Sequence, residues 1–205
     1  MAIPLFKRLS QLADIPPEEW DYFCHLTKDK VLKKKELLFR QDEPSDIVAY
    51  VKKGLLVSYY NDHNNEPKVK KFSWENRITS PYTTLPKGST LCSFSVEALE
   101  ETSITFIQYK DIAELYQRHI CWNILGRCLV EQALIEKEQR EYDMLCLPLM
   151  QRYENFNHTY SEIINRIPQY LIASYLGVNA VSLSRLRAQR RQKKLQDIHR
   201  ETVSP

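Results

Sequence analysis

Apolar residues recur at two different periods along this chain, and the changes between them divide it. From Ile3 to Thr27 the period is helical, with Leu5, Leu9 and Leu12 followed by Trp20, Phe23 and Leu26. The run Ile15-Pro16-Pro17-Glu18-Glu19 breaks one short helix and starts the next, since proline and acids suit a first turn. From Lys30 to Tyr109 the pattern shortens into strands. Val48 to Val51 and Leu55 to Tyr60 read as two strands joined by a tight turn at Lys53-Gly54. Asn61-Asp62-His63-Asn64-Asn65 is a second turn, and Lys68 to Trp74 is a third strand of alternating character. Ser89 to Ala98 and Ser103 to Tyr109 supply two more, rich in β-branched and aromatic residues. Short strands with turns about every 8–12 residues predict an antiparallel sandwich or jelly roll.

The helical period then returns. Lys110 to Tyr116 reads as a linking helix, and His119 to Cys146 as one long helix of about seven turns. On a 4-3 spacing its seam is Cys121, Leu125, Cys128, Gln132, Ile135, Gln139, Tyr142 and Cys146. That mixed seam suits a dimer helix which also packs against its own domain; a helix buried within one subunit gives a similar pattern. Pro148 ends the run. Leu149 to Phe156 and Tyr160 to Ile164 read as short helices, the second capped by His158-Thr159, with a domain boundary near Leu147. The expected organisation is residues 1–118, a long helix over 119–146, and an all-α domain over 147–205.

The most informative stretch is Ile167 to Arg191, two short helices with a tight turn between them. Leu171, Ile172, Tyr175 and Leu176 give the first an apolar face behind Pro168. Gly177 can close that helix in the left-handed conformation, and Asn179 is a good N-cap for the next. Leu183 and Leu186 form the buried side of the second helix, while Arg185, Arg187, Arg190 and Arg191 leave a dense positive surface. A small-residue turn, an apolar brace and a basic second helix are what a helix-turn-helix needs to enter a major groove. The alternative is two ordinary surface helices with a solvated basic end.

Charge strengthens the first reading. The 205 residues carry a net +3, but residues 166–205 alone carry +6, which leaves −3 for the rest. A mildly acidic body with a basic end implies a polyanionic partner at that end. The hydrophobic fraction of 43% and charged fraction of 27% describe a globular chain, with no signal-peptide layout and no run near the roughly 18 apolar residues of a membrane span. Five scattered cysteines (24, 92, 121, 128 and 146) without a C-x-x-C pair suggest reduced thiols in a cytoplasmic protein, and indicate neither a zinc ribbon nor an iron–sulfur site.

Helices, a jelly roll, a long helix and a helix-turn-helix, in that order, resemble the Crp/Fnr family of bacterial transcription regulators across almost the whole chain. Phe39-Arg40-Gln41-Asp42-Glu43 with Val51-Lys52-Lys53-Gly54-Leu55, and Ile167-Pro168-Gln169 through Ser184-Arg185, carry the resemblance most specifically. It implies an α+β chain: an N-terminal cyclic-nucleotide-binding-like jelly roll as sensor, a homodimer through the long helix, and a C-terminal helix-turn-helix. It further implies a palindromic double-stranded DNA site, RNA polymerase as a further partner, and neither catalysis nor a membrane partner. By the same resemblance Ala180, Val181 and Arg185 fall at base-contacting positions, and Gln169, Tyr170, Asn179 and Ser182 at positions that touch the DNA backbone. Arg187 either reaches phosphate or is solvated. Apolar Ala180 and Val181 suit thymine methyl groups, and Arg185 suits guanine O6 and N7.

The chain departs from the family pattern in the sensor. The positions of the ribose-binding glutamate and the phosphate-binding arginine fall on Ser80 and Cys92, with Ser93 beside the latter and Lys87 the nearest replacement cation. A buried cyclic phosphate without a bidentate cation loses its main charge-assisted contact, so tight cyclic AMP binding is expected to be absent and no cofactor is expected. Cys92 reads either as a redox switch or as a small buried hydrophobe. A β-hairpin wing after the second helix is also missing, and Gln192 to Pro205 is a polar, basic tail whose Lys193, Lys194 and Arg200 either track phosphate or lie in disordered chain. Two rival functions remain. A metal-dependent enzyme of the cupin kind needs clustered histidines, and His25, His63, His119, His158 and His199 fall in separate elements. A protein-interaction module that has kept the fold without reading DNA is the other.

Overall fold

A computed structural model describes residues 3–81 and 91–203 of the chain. It divides into two compact units, Met1–Arg140 and Glu141–Pro205, and the division falls inside the long helix. Among the described residues the first unit holds α1 (Ile3–Ser10), α2 (Pro17–Leu26), eight strands, α3 (Tyr109–Arg118) and most of α4 (Ile120–Cys146). Pro17 opens α2 as the sequence predicts, at a position where a missing N–H costs nothing.

The strands are β1 (Lys28–Leu32), β2 (Leu37–Phe39), β3 (Ile47–Lys53), β4 (Leu56–Asn61), β5 (Pro67–Ser73), β6 (Ile78–Thr79), β7 (Ser95–Ala98) and β8 (Thr102–Gln108). They form two four-stranded antiparallel sheets, in the orders β1-β8-β3-β6 and β2-β7-β4-β5. β3 and β4 are the two strands read on either side of Gly54; they belong to different sheets, and the glycine turn carries the chain from one to the other. Gly54 has φ +112°, and a Cβ there would come within 2.4 Å of Thr102 Oγ1 and 2.6 Å of its Cα, so no other residue fits. β4 and β5 form a hairpin closed by the Asn61–Asn65 cluster, in which Asp62 Oδ1 accepts from the backbone N–H of Asn64 and Glu66.

Leu32, Phe39, Ala49, Val51, Leu56, Phe94, Val96, Ala98 and Ile104 pack into one core. A second core joins α1 to α4 through Leu5, Leu9, Ile15, Leu115, Trp122 and Leu125, with Tyr50 and Ile107 from the strands. Buried Glu19 fixes the start of α4 in this core. Its carboxylate accepts from Arg118 Nε at 2.9 and 3.1 Å and from Trp122 Nε1 at 2.9 Å.

In the second unit, α5 (Leu149–Thr159) runs through His158-Thr159, which therefore do not cap a following helix. Tyr160 to Ile163 is a turn closed by bonds from Tyr160 N–H to Phe156 O and from Ile163 N–H to Tyr160 O, followed by a 3-10 turn at Ile164–Arg166. α6 (Gln169–Leu176) and α7 (Ala180–Val203) complete the unit. The chain past Gln192, expected as a tail, continues α7 to Val203. The side chains of Lys193, Lys194 and Arg200 lie outside the described residues. No described helix is long and apolar enough to cross a membrane.

Candidate nucleic-acid interface

Three residues turn α6 into α7. Gly177 ends α6 at φ +70°, with its N–H on Ser174 O and the Val178 N–H returning to Ala173 O. Arg152 Nη1 donates to Leu176 O at 3.0 Å and so satisfies another terminal carbonyl. Asn179 then caps α7, its Oδ1 accepting from the Ser182 N–H at 2.8 Å. Behind the turn, Phe156, Tyr160 and Tyr175 form a ring cluster with centroids 4.8–5.4 Å apart. Leu171, Ile172, Leu176, Leu183 and Leu186 are buried, so both helices face their apolar stripes inward as the spacing predicts.

What remains outside is one face of α7. Ala180, Val181, Ser184, Arg185, Ala188 and Arg191 are all exposed, at helical spacings of three and four. Val181 is 60% exposed and Arg185 has no ion pair with any described residue. No acid lies between Ala180 and Gln192, so a polyanion meets no repulsion there. Ser184 and Ala188 go unmarked in a reading of the sequence by residue type. Their signal is the i+3 and i+7 spacing from Val181, and their small side chains let the helix backbone approach a partner closely.

The arginines divide by environment. Arg187 donates to Gln169 Oε1 and ties the head of α6 to α7. Arg190 lies over the Tyr153 ring at 5.5 Å from its centroid. Arg185 and Arg191 are exposed without such contacts among the described residues. Tyr170 is 60% exposed and Gln169 is exposed beside it at the start of α6. Asn179 and Ser182 are engaged with one another in the cap.

The sensor residues are less gathered. Ser80 follows β6 in the first sheet, whereas Cys92 and Ser93 lead into β7 in the second. Lys87 lies outside the described residues, as does the start of the strand expected from Ser89. Cys92 is buried, and burial pushes its thiol above the ordinary range, against a partly offsetting contact from Ser45. That is the environment of a small apolar residue and not of a reactive thiolate. Among the described residues, no three His, Cys, Asp or Glu side chains are grouped so as to hold a metal ion.

The first turns of the expected α4 seam pack against their own unit. Cys121 and Leu125 are only 2% and 6% exposed and belong to the unit's own core, and Cys128 Sγ lies 3.8 Å from Leu12 O. Apolar residues exposed along α4 include Ile120, Ile124, Val130, Leu134 and Ile135 before the division and Tyr142, Met144 and Leu145 after it, with Gln132 also outside.

No protein-family model matches the sequence, and no curated protein matches it. Solved structures do. FixK2 from Bradyrhizobium japonicum superposes with a TM-score of 0.72 at 15% identity, over 82% of this chain and 86% of that one. The c-di-GMP-responsive global regulator CLP of Xanthomonas campestris gives 0.69 at 13% identity, over 86% of this chain and 92% of that one. The catabolite activator protein of Thermus thermophilus gives 0.56 at 15% identity, over 91% and 88%. These are regulators of the Crp/Fnr kind, and what the chain shares with them at this identity is the fold.

Proposed function

We propose that this chain is a DNA-binding transcription regulator of the Crp/Fnr type. Its eight strands act as a jelly-roll sensor, α4 as the dimer helix, and α6 with α7 as a helix-turn-helix reading a palindromic site. The observation that carries this reading is the outward face of α7. It is acid-free from Ala180 to Gln192, apolar at its head, and supplied with an outward Arg185 on a helix whose other side buries Leu183 and Leu186. The shared fold with FixK2, CLP and the catabolite activator protein supports it.

On this reading Arg185 meets a guanine edge, Ala180 and Val181 meet thymine methyl groups, and Arg191 approaches phosphate. Gln169, Tyr170 and the α7 cap lie where the backbone of the duplex passes. Arg187, held by Gln169, orients the head of α6. Ile120, Ile124, Leu134 and Ile135 form the subunit contact, since an exposed apolar stripe of this length is costly in water.

The test is selection of bound duplexes from a random library at moderate salt. A twofold-symmetric site with half-sites about one helical turn apart is expected. Arg185→Ala should weaken binding to that site about 5- to 150-fold, the loss of one bidentate contact, while leaving binding to random DNA nearly unchanged. Equal losses on both would place Arg185 on phosphate. No enrichment with or without small-molecule anions would favour the protein-interaction reading, for which Val181 and Tyr170 would supply the exposed apolar contacts.

A further inference from the structure

A thioether holds the α6–α7 turn from outside. Met144, near the end of α4, belongs to the same unit as the turn and reaches it in two ways. Its Cε lies 2.9 Å from where a Cβ on Gly177 would stand, so the methyl takes the place of the missing side chain. Its Sδ accepts from Arg152 Nη1 at 3.3 Å. The same Nη1 donates to Leu176 O at 3.0 Å, a carbonyl at the end of α6. Thioether, guanidinium and helix end therefore form one chain of contacts.

That chain is weakly secured at its middle. Arg152 Nε is buried, with no hydrogen-bond partner among the described residues. An N–H left in that state is costly, and it gives the guanidinium nothing to hold it in place. What ties the guanidinium is Nη1, shared between one carbonyl and a sulfur that is only a weak acceptor.

The sulfur is also open to reagents. Met144 is 38% exposed, whereas Met150 is half-buried in α5. The seam expected from the sequence passes through Tyr142 and Cys146. Met144 is two residues from each, on the far side of the helix, so pairing along that seam leaves it uncovered. One of its lone pairs faces Arg152, and the other is free for attack.

We propose that Met144 is an oxidation site whose sulfoxide releases Arg152 from the α6–α7 turn. The oxidant is a peroxide, with hydrogen peroxide the simplest case. The sulfur lone pair attacks one peroxide oxygen, and the S–O bond forms as the O–O bond breaks. Sulfur loses two electrons, and the departing oxygen takes the proton of the transferred one and leaves as water. Either orientation of the new oxygen breaks the contact with Arg152. Aimed at the guanidinium it does not fit, because a 3.3 Å gap cannot hold an S–O bond and a hydrogen bond of about 2.8 Å in line. Aimed away, it leaves a positively polarised sulfur facing a cation. The side chain, now polar, also loses its reason to keep a methyl against Gly177. On the regulator reading the loosened turn lowers affinity for the selected duplex. That consequence rests on the reading; the oxidation and its effect on the turn do not.

The test treats the full chain with hydrogen peroxide and follows it by peptide mass mapping and by amide hydrogen exchange. Met144 is expected to gain oxygen at least about threefold faster than Met150. Exchange at the Gly177 and Val178 amides, whose bonds to Ser174 O and Ala173 O close the turn, should then quicken at least about fivefold. Methionine sulfoxide reductase should restore the original rates. Met144→Leu keeps an apolar side chain and removes the sulfur, so peroxide should leave its exchange unchanged. In Arg152→Gln exchange should start faster, and oxidation should add less than about twofold. The proposal is overturned if Met150 reacts as fast as Met144, or if Met144 sulfoxide leaves exchange at the turn unaltered. It is overturned equally if peroxide acts as strongly on Met144→Leu, which would assign the effect to the cysteines, or on Arg152→Gln. Quickened exchange in a chain that selects no DNA site would instead count against the regulator reading and leave this site standing.

Discussion

Glu19 offers the sharpest test of how the first unit is held together. Its carboxylate is the meeting point of three helices: α2 supplies it, Arg118 at the end of α3 donates to it, and Trp122 in the first turn of α4 donates its indole N–H. Glu19→Ala removes all three bonds and leaves two donors behind. Trp122 is 3% exposed, so its N–H has no water to turn to, a loss of about 1–3 kcal/mol. The Arg118 side chain is 40% exposed and also rests on the Tyr22 ring, so water and the ring recover part of its contact. That half of the loss is about 1 kcal/mol. Together the substitution should cost about 2–4 kcal/mol, a large part of an ordinary domain's stability. Glu19→Gln keeps an acceptor for Trp122 and gives up the charge, so about 1–2 kcal/mol is expected.

The assay is equilibrium urea unfolding followed by tryptophan fluorescence. The chain's three tryptophans, Trp20, Trp74 and Trp122, all lie in the first unit, so the signal reports that unit alone. Adding Arg118→Ala to Glu19→Ala should cost little more than Glu19→Ala by itself, because the arginine's partner has already gone. If Glu19→Ala and Glu19→Gln proved equal, the indole bond would carry no weight. A cost below about 0.5 kcal/mol for both would refute the picture of a buried polar node fixing the start of α4.

Three further outcomes are expected. Gly177→Ala forces a Cβ at φ +70° to within 2.9 Å of Met144 Cε, a flexible tip, so left-handed strain dominates and about 1–2 kcal/mol should be lost. Far-UV circular dichroism should show the second unit's transition falling by several degrees, and Gly177→Asn should recover part of it. Asn179→Ala removes the α7 cap at a cost of about 0.5–2 kcal/mol, visible as faster hydrogen exchange at the Ser182 amide; Asn179→Asp should retain protection. Lys70 is pulled from 10.5 to about 8, so the folded chain gives up this proton at lower pH than the unfolded chain. Its destabilising effect is complete below pH 8 and fades as pH rises towards 10.5. The first unit should therefore gain about 1–2 kcal/mol across that window after discounting for solvent contact, relative to Lys70→Met, which removes this part of the pH dependence. Parallel stability–pH curves for the two proteins would contradict the burial of a charged Lys70.

The elements most legible in the sequence are those whose signals are local. Gly177 and Asn179 specify their own backbone conformations, so the α6–α7 turn can be read within a dozen residues. The period of α4 likewise announces a long helix. Its buried face cannot be read that way, because apolar residues occur on more than one side. Cys121 and Leu125 are claimed by the core that α1 and α2 build, while Ile120, Leu134 and Ile135 stay outside.

Other features depend on partners distant in sequence. The turn at Gly54 is legible because a tight glycine turn is a local signal, whereas the sheet each flanking strand joins is not. Lys68 to Trp74 alternates as a half-exposed strand should, and that alternation hides Lys70. One extra residue against β4 shifts the faces, and a lysine that the pattern sends to solvent comes to rest on Phe94. Two adjacent lysines between Val69 and Phe72 are the available hint.

The jelly roll and the α7 face lie in different units, but α4 is continuous from one into the other, with Lys137 and Arg140 on the sensor side of the division. A small-molecule effector of the jelly-roll sensor can change how α4 is held through those two side chains, which stand close to Lys70 and Val69 of β5. The coupling then has a strict thermodynamic consequence. Whatever factor the effector contributes to DNA affinity, the DNA must contribute to effector affinity. For a typical coupling of about 1–3 kcal/mol, the effector's dissociation constant should shift about 5- to 150-fold when the selected duplex is present. Calorimetry of the effector with and without that duplex measures one side, and a fluorescence-anisotropy titration of labelled duplex with and without effector measures the other. Arg140→Gln should reduce both factors together while leaving the effector-free affinity for DNA near its original value. Unequal factors would mean that the two measurements follow different processes. A factor of one in both directions would show that the sensor, though occupied, does not govern the reader.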